Sequence, residues 1–551
     1  MQELNSQSAV NSPRKSQPLL AAILVGHLVL LGWFSSFTAE DSFIVFRYSE
    51  NLVDGNGLVF NEGQPVTALT SPLHAIVAAA LYAITGTSLW SHKICSVLIH
   101  LLAVTTAVRI LDIRKQLWPI AWLFILWSPY VVFWTVGGLE TMYLSSAVVL
   151  SFALSHSITQ QKSTSHIIWF SILLAVAFLG RYDSVLITVP LWFHVAASII
   201  SQNKRSGKKW LGDIYRLLFP GLLIALTWLA ISQWYFHDII PTSKYHKPTH
   251  GEEQWAAILY MGQFMIATGL LPVILWILID RTGKWGNACT SMASIAKEHL
   301  GVMTGLVIFF GYCTYTVMSH MMFSYRMLLP YLPVGALLVT RWIERTIPDT
   351  NSDDQSTLGS GRFGAKSISI LMVFMVIGQL AQAIVIDRIS INPGKVGEYR
   401  RLSRIDYTKF MQLLSDQADE IKHHWEQHGD QNRKPRIFVY AAGIVPYKLR
   451  DFHVLDWGLV SYRKNVKVFS IQRGLLYSSD YIMTLTPRHH SLKYQLQRNP
   501  DDLEVVTETT MPFDGTQQTF ATHFNRNPIQ YRLPDYIDGL PVDEIPEKIE
   551  D

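Results

Sequence analysis

The chain has 551 residues, 49% of them hydrophobic and only 16% charged, with a mean hydropathy of +0.20. A soluble protein of this length carries more charge to cover its surface, so an ordinary aqueous globular class is excluded. The net charge of +4 gives no basic footprint for a nucleic-acid partner, and the three cysteines lack the spacing of a disulfide framework or a zinc site.

Apolar blocks of roughly 16 to 25 residues, the length a helix needs to cross a bilayer, recur along the first two thirds of the chain. In order, the expected spans are Pro18–Phe37, Leu89–Leu111, Trp118–Val136, Met142–Ile158, His166–Gly180, Ser184–Ile200 and Leu217–Phe236. Trp255–Ile279, Leu300–His320, Met327–Ile343 and Ile368–Ile386 follow. The first block is too long for a signal-peptide core and is read as a retained helix after a cytoplasmic tail, residues 1–17. Pro72–Thr85 is shorter, and "TSP" opens it like a capped helix with proline at its first position. Counting it as interfacial puts Lys and Arg on one side of the membrane by roughly three to one.

The expected class is therefore an all-α polytopic, multi-pass membrane protein of about eleven spans, with its amino terminus inside. The transmembrane domain covers residues 18–386, and its first outer loop, residues 38–87, carries interfacial helices. Residues 387–551 lack spanning runs and read as a C-terminal mixed α/β extracytoplasmic domain. A helix near Tyr407–His428 precedes strands in Arg436–Tyr447, Phe452–Val460, Val466–Ile471 and Ser479–Leu485. The polar stretch Pro348–Gly364 reads as a flexible linker.

With this topology, five polar clusters fall on the outer face: "AED" after the first span, "GGLET" (Gly137–Thr141), "GRYDS" (Gly180–Ser184), Phe236–Lys247 and Ser319–Pro330. They point to one site at the membrane surface. Asp41 suits the N-cap of a helix over Ser42–Val53; Glu40 and Asp41 together also suit a general base, partly desolvated at the mouth of a bundle. Arg181, Lys244, His246 and Arg326, with His237 nearby, are interface anchors one by one. Together they suit neutralisation of a leaving phosphate. Arg47, Tyr48 and Tyr245 stand where a sugar could bind, although an aromatic belt also explains the tyrosines. Glu140 reads as a first-turn acid favoured by the helix dipole, a partner acid, or a ligand of a divalent cation. Glu420, His424 and His428 have metal-like spacing without a supporting motif, so no metal site is assigned. A divalent cation is the one cofactor candidate, at Glu140.

"EDSFIVFRYSENLVDGNGLVFNEGQPVTALTSPLH" resembles the first outer loop of GT-C membrane glycosyltransferases, in particular the mycobacterial terminal β-arabinofuranosyltransferases and their bacterial relatives. "GGLET", "IIPTSKYHK", "RMLLPYLP" and "AAGIVPY…FHVLDWGL" resemble that family in order and context. The resemblance implies an inverting transferase that moves a sugar, arabinofuranose in the nearest relatives, from a polyprenyl-phosphate donor to a cell-envelope glycan or glycolipid acceptor outside the membrane. It puts the catalytic base in the acidic pair, at Asp41. Glu-Asp here replaces the Asp-Asp of many relatives, and "GRYDS" replaces their usual R-P-D/E-G. A transporter or flippase of polyprenyl-linked sugars, and an inactive glycolipid-binding relative, are the alternative readings; polar groups at one surface and the lack of a repeat favour the enzyme.

Overall fold

Hydrocarbon offers no partner for a backbone N–H or C=O, and a helix satisfies these groups within one segment. The computed structural model describes residues 17–160, 163–207, 209–242, 254–279, 285–316, 323–346, 358–390, 403–456, 479–486, 503–513 and 516–526. Up to residue 390 its regular structure is helical. The chain runs through α1 (Gln17–Phe34), α2 (Glu40–Val53), α3 (Pro72–Thr85), α4 (Leu89–Ile110), α5 (Trp118–Leu126), α6 (Pro129–Thr135), α7 (Thr141–Gln160) and α8 (Thr164–Gly180). It continues through α9 (Val185–Arg205), α10 (Leu211–Phe236), α11 (Gln254–Ala267), α12 (Leu270–Ile279), α13 (Trp285–Glu298), α14 (Leu300–Tyr315), α15 (Leu332–Thr346) and α16 (Leu358–Arg388).

Among the described residues, six helices are long and apolar enough to cross a membrane alone, and nine spans result if each bent pair counts as one. The bends have local causes. The expected span Trp118–Val136 breaks by 61° before Pro129, where Ser128 takes the extended conformation that a following proline favours. Trp255–Ile279 breaks by 71° beside Gly269, which has a φ of 81°. The expected spans His166–Gly180 and Met327–Ile343 correspond to the shorter helices α8 and α15. Leu358–Gly364 is the first part of α16 rather than linker, and residues 348–357 lie outside the described residues.

Helix α7 is buried along almost its whole length, and its small residues let neighbours close on it. The hydroxyls of Ser146 and Ser151 return to the carbonyls of Met142 and Ala147, so they bring no unsatisfied group into the core. One end of α7 carries Glu140. The other carries His156, which meets Glu298, and Glu298 in turn pairs with Arg341 and Arg345 in a separate charged network.

Helix α2 is not laid on a surface: Ser42–Ile44 and Phe46–Asn51 are buried. It packs on α3 and on the C-terminal unit, which comprises α17 (Arg404–His428), β1 (Arg436–Phe438), α18 (Ile444–Lys448), β2 (His453–Leu455), β3 (Tyr481–Thr486), β4 (Leu503–Phe513) and β5 (Thr516–Asn525). The sheet order is β2-β1-β3-β5-β4, parallel among the first three strands and antiparallel among the last three. The expected strand Arg436–Tyr447 stops at Phe438, because the chain turns at Gly443 and Pro446 lacks the N–H a ladder needs. Val466–Ile471 lies outside the described residues. The β4–β5 hairpin was not legible in the sequence: threonines replace apolar residues in its alternating pattern.

Candidate functional site

Two turns deliver the charged groups. The N–H of Ala39 donates to the Gly137 carbonyl at 2.9 Å, which ties the start of α2 to the turn between α6 and α7. Gly138 has a φ of 78°, and a Cβ there would meet Ser42 at 3.2 Å, so both backbone and packing call for glycine. Glu140 follows directly and lies at the head of the central helix. The second turn holds Ser324 and Tyr325 with φ of 45° and 62°, two successive non-glycine residues in the left-handed region. The Trp134 indole N–H donates to the Ser324 carbonyl at 3.0 Å, and the Tyr325 ring packs 4.8 Å from both Tyr130 and Tyr260. Arg326 comes next, its guanidinium over the Trp134 ring.

From these turns a line of charges forms. Arg326 reaches Asp41 at 3.2 Å with one Nη and both Glu140 oxygens at 3.2 and 3.3 Å with the other. Arg181 donates to Glu140 at 3.2 Å and forks onto Asp183 at 3.1 and 2.7 Å. Three acids thus share two guanidinium groups. Exposure grades steeply along the line: the side chain of Asp41 is 60% exposed, Arg326 16% and Glu140 3%. Asp41 is therefore the carboxylate of the line that faces solvent most. It does not cap α2, whose N-cap is Ala39; Glu40 and Asp41 occupy the first turn, where negative charge suits the dipole. Burial alone would raise the Glu140 carboxyl, but Arg326 and then Arg181 outweigh it and hold it down to about 2.

Glu40 turns the other way. Its carboxylate accepts from the backbone N–H groups of Gly443 and Ile444, and its own N–H donates to the Tyr407 hydroxyl at 2.7 Å. Burial, then the charge of Asp41, pushes its carboxyl up from 4.5 to about 8 against those two N–H groups. Between these values the folded protein keeps a proton that the unfolded chain has lost, so the stabilisation is complete below about 4.5 and is lost as pH rises through about 8. Thermal unfolding across this range should show stability falling with pH. Glu40→Gln should flatten that slope, and an unchanged slope would remove Glu40 as its source.

The other expected site residues separate. Arg47 donates to the carbonyls of Phe60, Pro446, Leu449 and Phe452, and Tyr48 is fully buried with its hydroxyl on the Val66 carbonyl at 2.6 Å. These contacts make both residues fasteners of the first loop and the C-terminal unit, with no surface left for a substrate. His237 ends α10 with a φ of 56°, is exposed, and pairs with none of the charged line among the described residues. The segment after it rests on the first loop, where the Thr242 N–H meets the Thr67 carbonyl at 2.8 Å. Lys244, Tyr245 and His246 lie outside the described residues. His424 bonds the Tyr481 hydroxyl and stacks on His428, and the two do not gather with Glu420 as metal ligands.

Sequence reasoning missed Trp134 and Tyr407, both far from the loop motifs in sequence. His74, expected from the sequence to hydrogen-bond within the bundle, pairs its buried ring with that of His92 behind Glu140 at 4.4 Å, and His92 was missed. Histidines within apolar stretches were the only available signal. Beside the Arg326 turn, an apolar cavity of about 200 Å³ opens among α11–α15, lined by Phe264, Met303, Phe310, Leu328, Leu332 and Trp342 among others.

No family model and no curated protein sequence matches the chain. Among solved structures, it is similar to ArnT from Cupriavidus metallidurans bound to undecaprenyl phosphate, with a TM-score of 0.52 and 12% identity over 92% of this chain and 98% of that one. The same protein in the apo state gives a TM-score of 0.51 at 11% identity, with the same coverage. The arabinosyltransferase EmbB from Mycobacterium smegmatis gives 0.35 at 11% identity over 71% of this chain and 43% of that one, too low to carry an argument.

Proposed function

We propose, for a chain that has the fold of the GT-C membrane glycosyltransferases, that it moves a sugar from a polyprenyl-phosphate donor to a cell-envelope glycan or glycolipid acceptor. The observation that carries this reading is the line Asp41–Arg326–Glu140–Arg181 at one end of the apolar bundle, beside an apolar cavity. A lipid-linked sugar phosphate has the matching shape: an apolar tail for the cavity and a charged head for the bilayer surface. The undecaprenyl phosphate bound by ArnT is a ligand of this kind.

In the reaction, the Asp41 carboxylate takes the proton of an acceptor hydroxyl as that oxygen attacks the anomeric carbon. The bond from that carbon to the phosphate oxygen breaks, polyprenyl phosphate leaves with the electron pair, and the configuration inverts. Arg326 turns from Asp41 to the leaving phosphate. Arg181, already saturated by Asp183 and Glu140, positions Glu140 instead. Three acids against two guanidinium groups leave the line net negative, so a bound phosphate needs further positive charge. Lys244 and His246 supply it, with a divalent cation as the substitute; Tyr245 and His237 flank the donor sugar.

The reading sets the active site on the periplasmic side of a bacterial inner membrane. Arg114, Arg341 and Arg345 at the opposite end of the bundle, on the side of the positive excess, support that orientation. Charges at one end rather than at the midplane favour transfer over transport. Purified protein in lipid discs, given synthetic polyprenyl-phosphate arabinofuranose and then other polyprenyl-phosphate pentoses and hexoses, should release polyprenyl phosphate only when an acceptor glycan is present. No turnover with any of these donors would overturn the transferase reading and leave the transporter and the inactive relative.

A further inference from the structure

Helix α17 meets the sheet of the C-terminal unit in two different ways. Phe410, Met411, Leu414, Ala418, Ile421 and Trp425 form an ordinary apolar seam. The adjacent stripe of the same helix does not close. Between it and β4 runs a groove of about 420 Å³, with Asp416, Gln417 and Glu420 on the helix side and Thr507 and Thr509 on the strand.

The strand side is set by register. A bulge between Val505 and Thr507 leaves Thr507 opposite Thr522 and Thr509 opposite Phe520. Phe520 packs 5.8 Å from Phe410 of α17, so this face of β4 looks at the helix. Hydroxyls therefore stand where a helix-covered strand would carry apolar side chains. Gln417, which lines the groove, is 2% exposed, and among the described residues neither its amide nitrogen nor its amide oxygen has a hydrogen-bond partner. A buried amide left unpaired is costly, and it calls for a ligand that both donates and accepts.

We propose that this groove binds the acceptor, a glycan rich in hydroxyls and free of anionic groups. Resting as it does on the transferase reading above, this inference names the substrate class of that same enzyme. Carboxylates accept from pairs of sugar hydroxyls, the Gln417 amide takes one hydroxyl in each direction, and the threonines complete the set. Among the described lining residues, Asp406, Asp416 and Glu420 against Lys409 repel phosphorylated or uronate-rich chains. The lower end of the groove adjoins the reaction centre: Asp406 lines it, and Tyr407, the next residue, reaches the backbone of Glu40, the neighbour of Asp41. A chain lying in the groove thus leads one end toward the exposed carboxylate.

The test uses the full-length protein in lipid discs and calorimetric titration with arabinohexaose, mannohexaose and, as the anionic control, oligogalacturonate. A neutral oligosaccharide should bind and the anionic one should not. Glu420→Gln and Thr509→Trp, both at exposed positions, should each weaken binding at least tenfold and raise the KM for acceptor while the KM for donor holds. Absence of binding by either neutral oligosaccharide, or binding untouched by both variants, would overturn the proposal. So would calcium binding in the groove without any sugar, or a dimer formed through the edge of β4. Asp41→Asn separates the two readings: it should stop transfer and leave oligosaccharide binding intact. Binding with no turnover in the parent protein would sink the transferase reading alone.

Discussion

Asp41→Asn should lower the rate of sugar transfer by about 10²–10⁴-fold, the contribution of a positioned general base, with little change in folding. The side chain is 60% exposed and, among the described residues, pairs with Arg326, so the protein loses almost no packing when its charge goes. The asparagine keeps the shape and can still meet the guanidinium, but it cannot take a proton. Rates at saturating acceptor, together with an unchanged unfolding temperature, are the measurements. Turnover within a few-fold of the parent would move the base to another carboxylate.

Glu140→Gln should instead harm the fold as well as the activity. Its carboxylate is the shared partner of Arg326 and Arg181 in a nearly dry setting, and breaking a buried pair from one side costs about 3–5 kcal/mol. The pH dependence has the opposite sign to that of Glu40. The carboxyl is held down to about 2 from 4.5, so its stabilisation is present above about 4.5 and disappears as pH falls through about 2. Denaturation in detergent, compared for Glu140→Gln, Arg326→Gln and the double variant, tests the link. The double variant should lose clearly less than the two single losses added. Strict additivity would mean that Arg326 and Glu140 do not depend on each other.

The contrast between these acids explains how far the sequence could be read. Glu40, Asp41 and Glu140 are equally visible as carboxylates beside apolar runs, and their common position at one end of a bundle follows from hydropathy and charge bias. Their division of labour does not. Glu40 is spent on the amides of Gly443 and Ile444, some four hundred residues away in the chain, while its neighbour faces water. Arg47 and Tyr48 sit in the motif with the strongest family resemblance, yet both turn into the seam with the C-terminal unit. Arg181 and Arg326 look alike in sequence. Only the loops that carry them decide that one is saturated and the other bridges to the exposed acid.

By itself the sequence determined the helical bundle, the capped start of α3 at Ser71, the turn at Gly138 and the end of the bundle where charge collects. Each of these is a local matter: the transfer of a run of side chains into hydrocarbon, one hydroxyl on one N–H, one backbone angle that excludes a Cβ. The tertiary structure alone decided which charges pair, where the expected spans break, and that a threonine-lined groove stays open beside α17. These depend on distances between segments far apart in the chain, and an ion pair or a cavity is fixed by ångströms that composition and spacing do not carry.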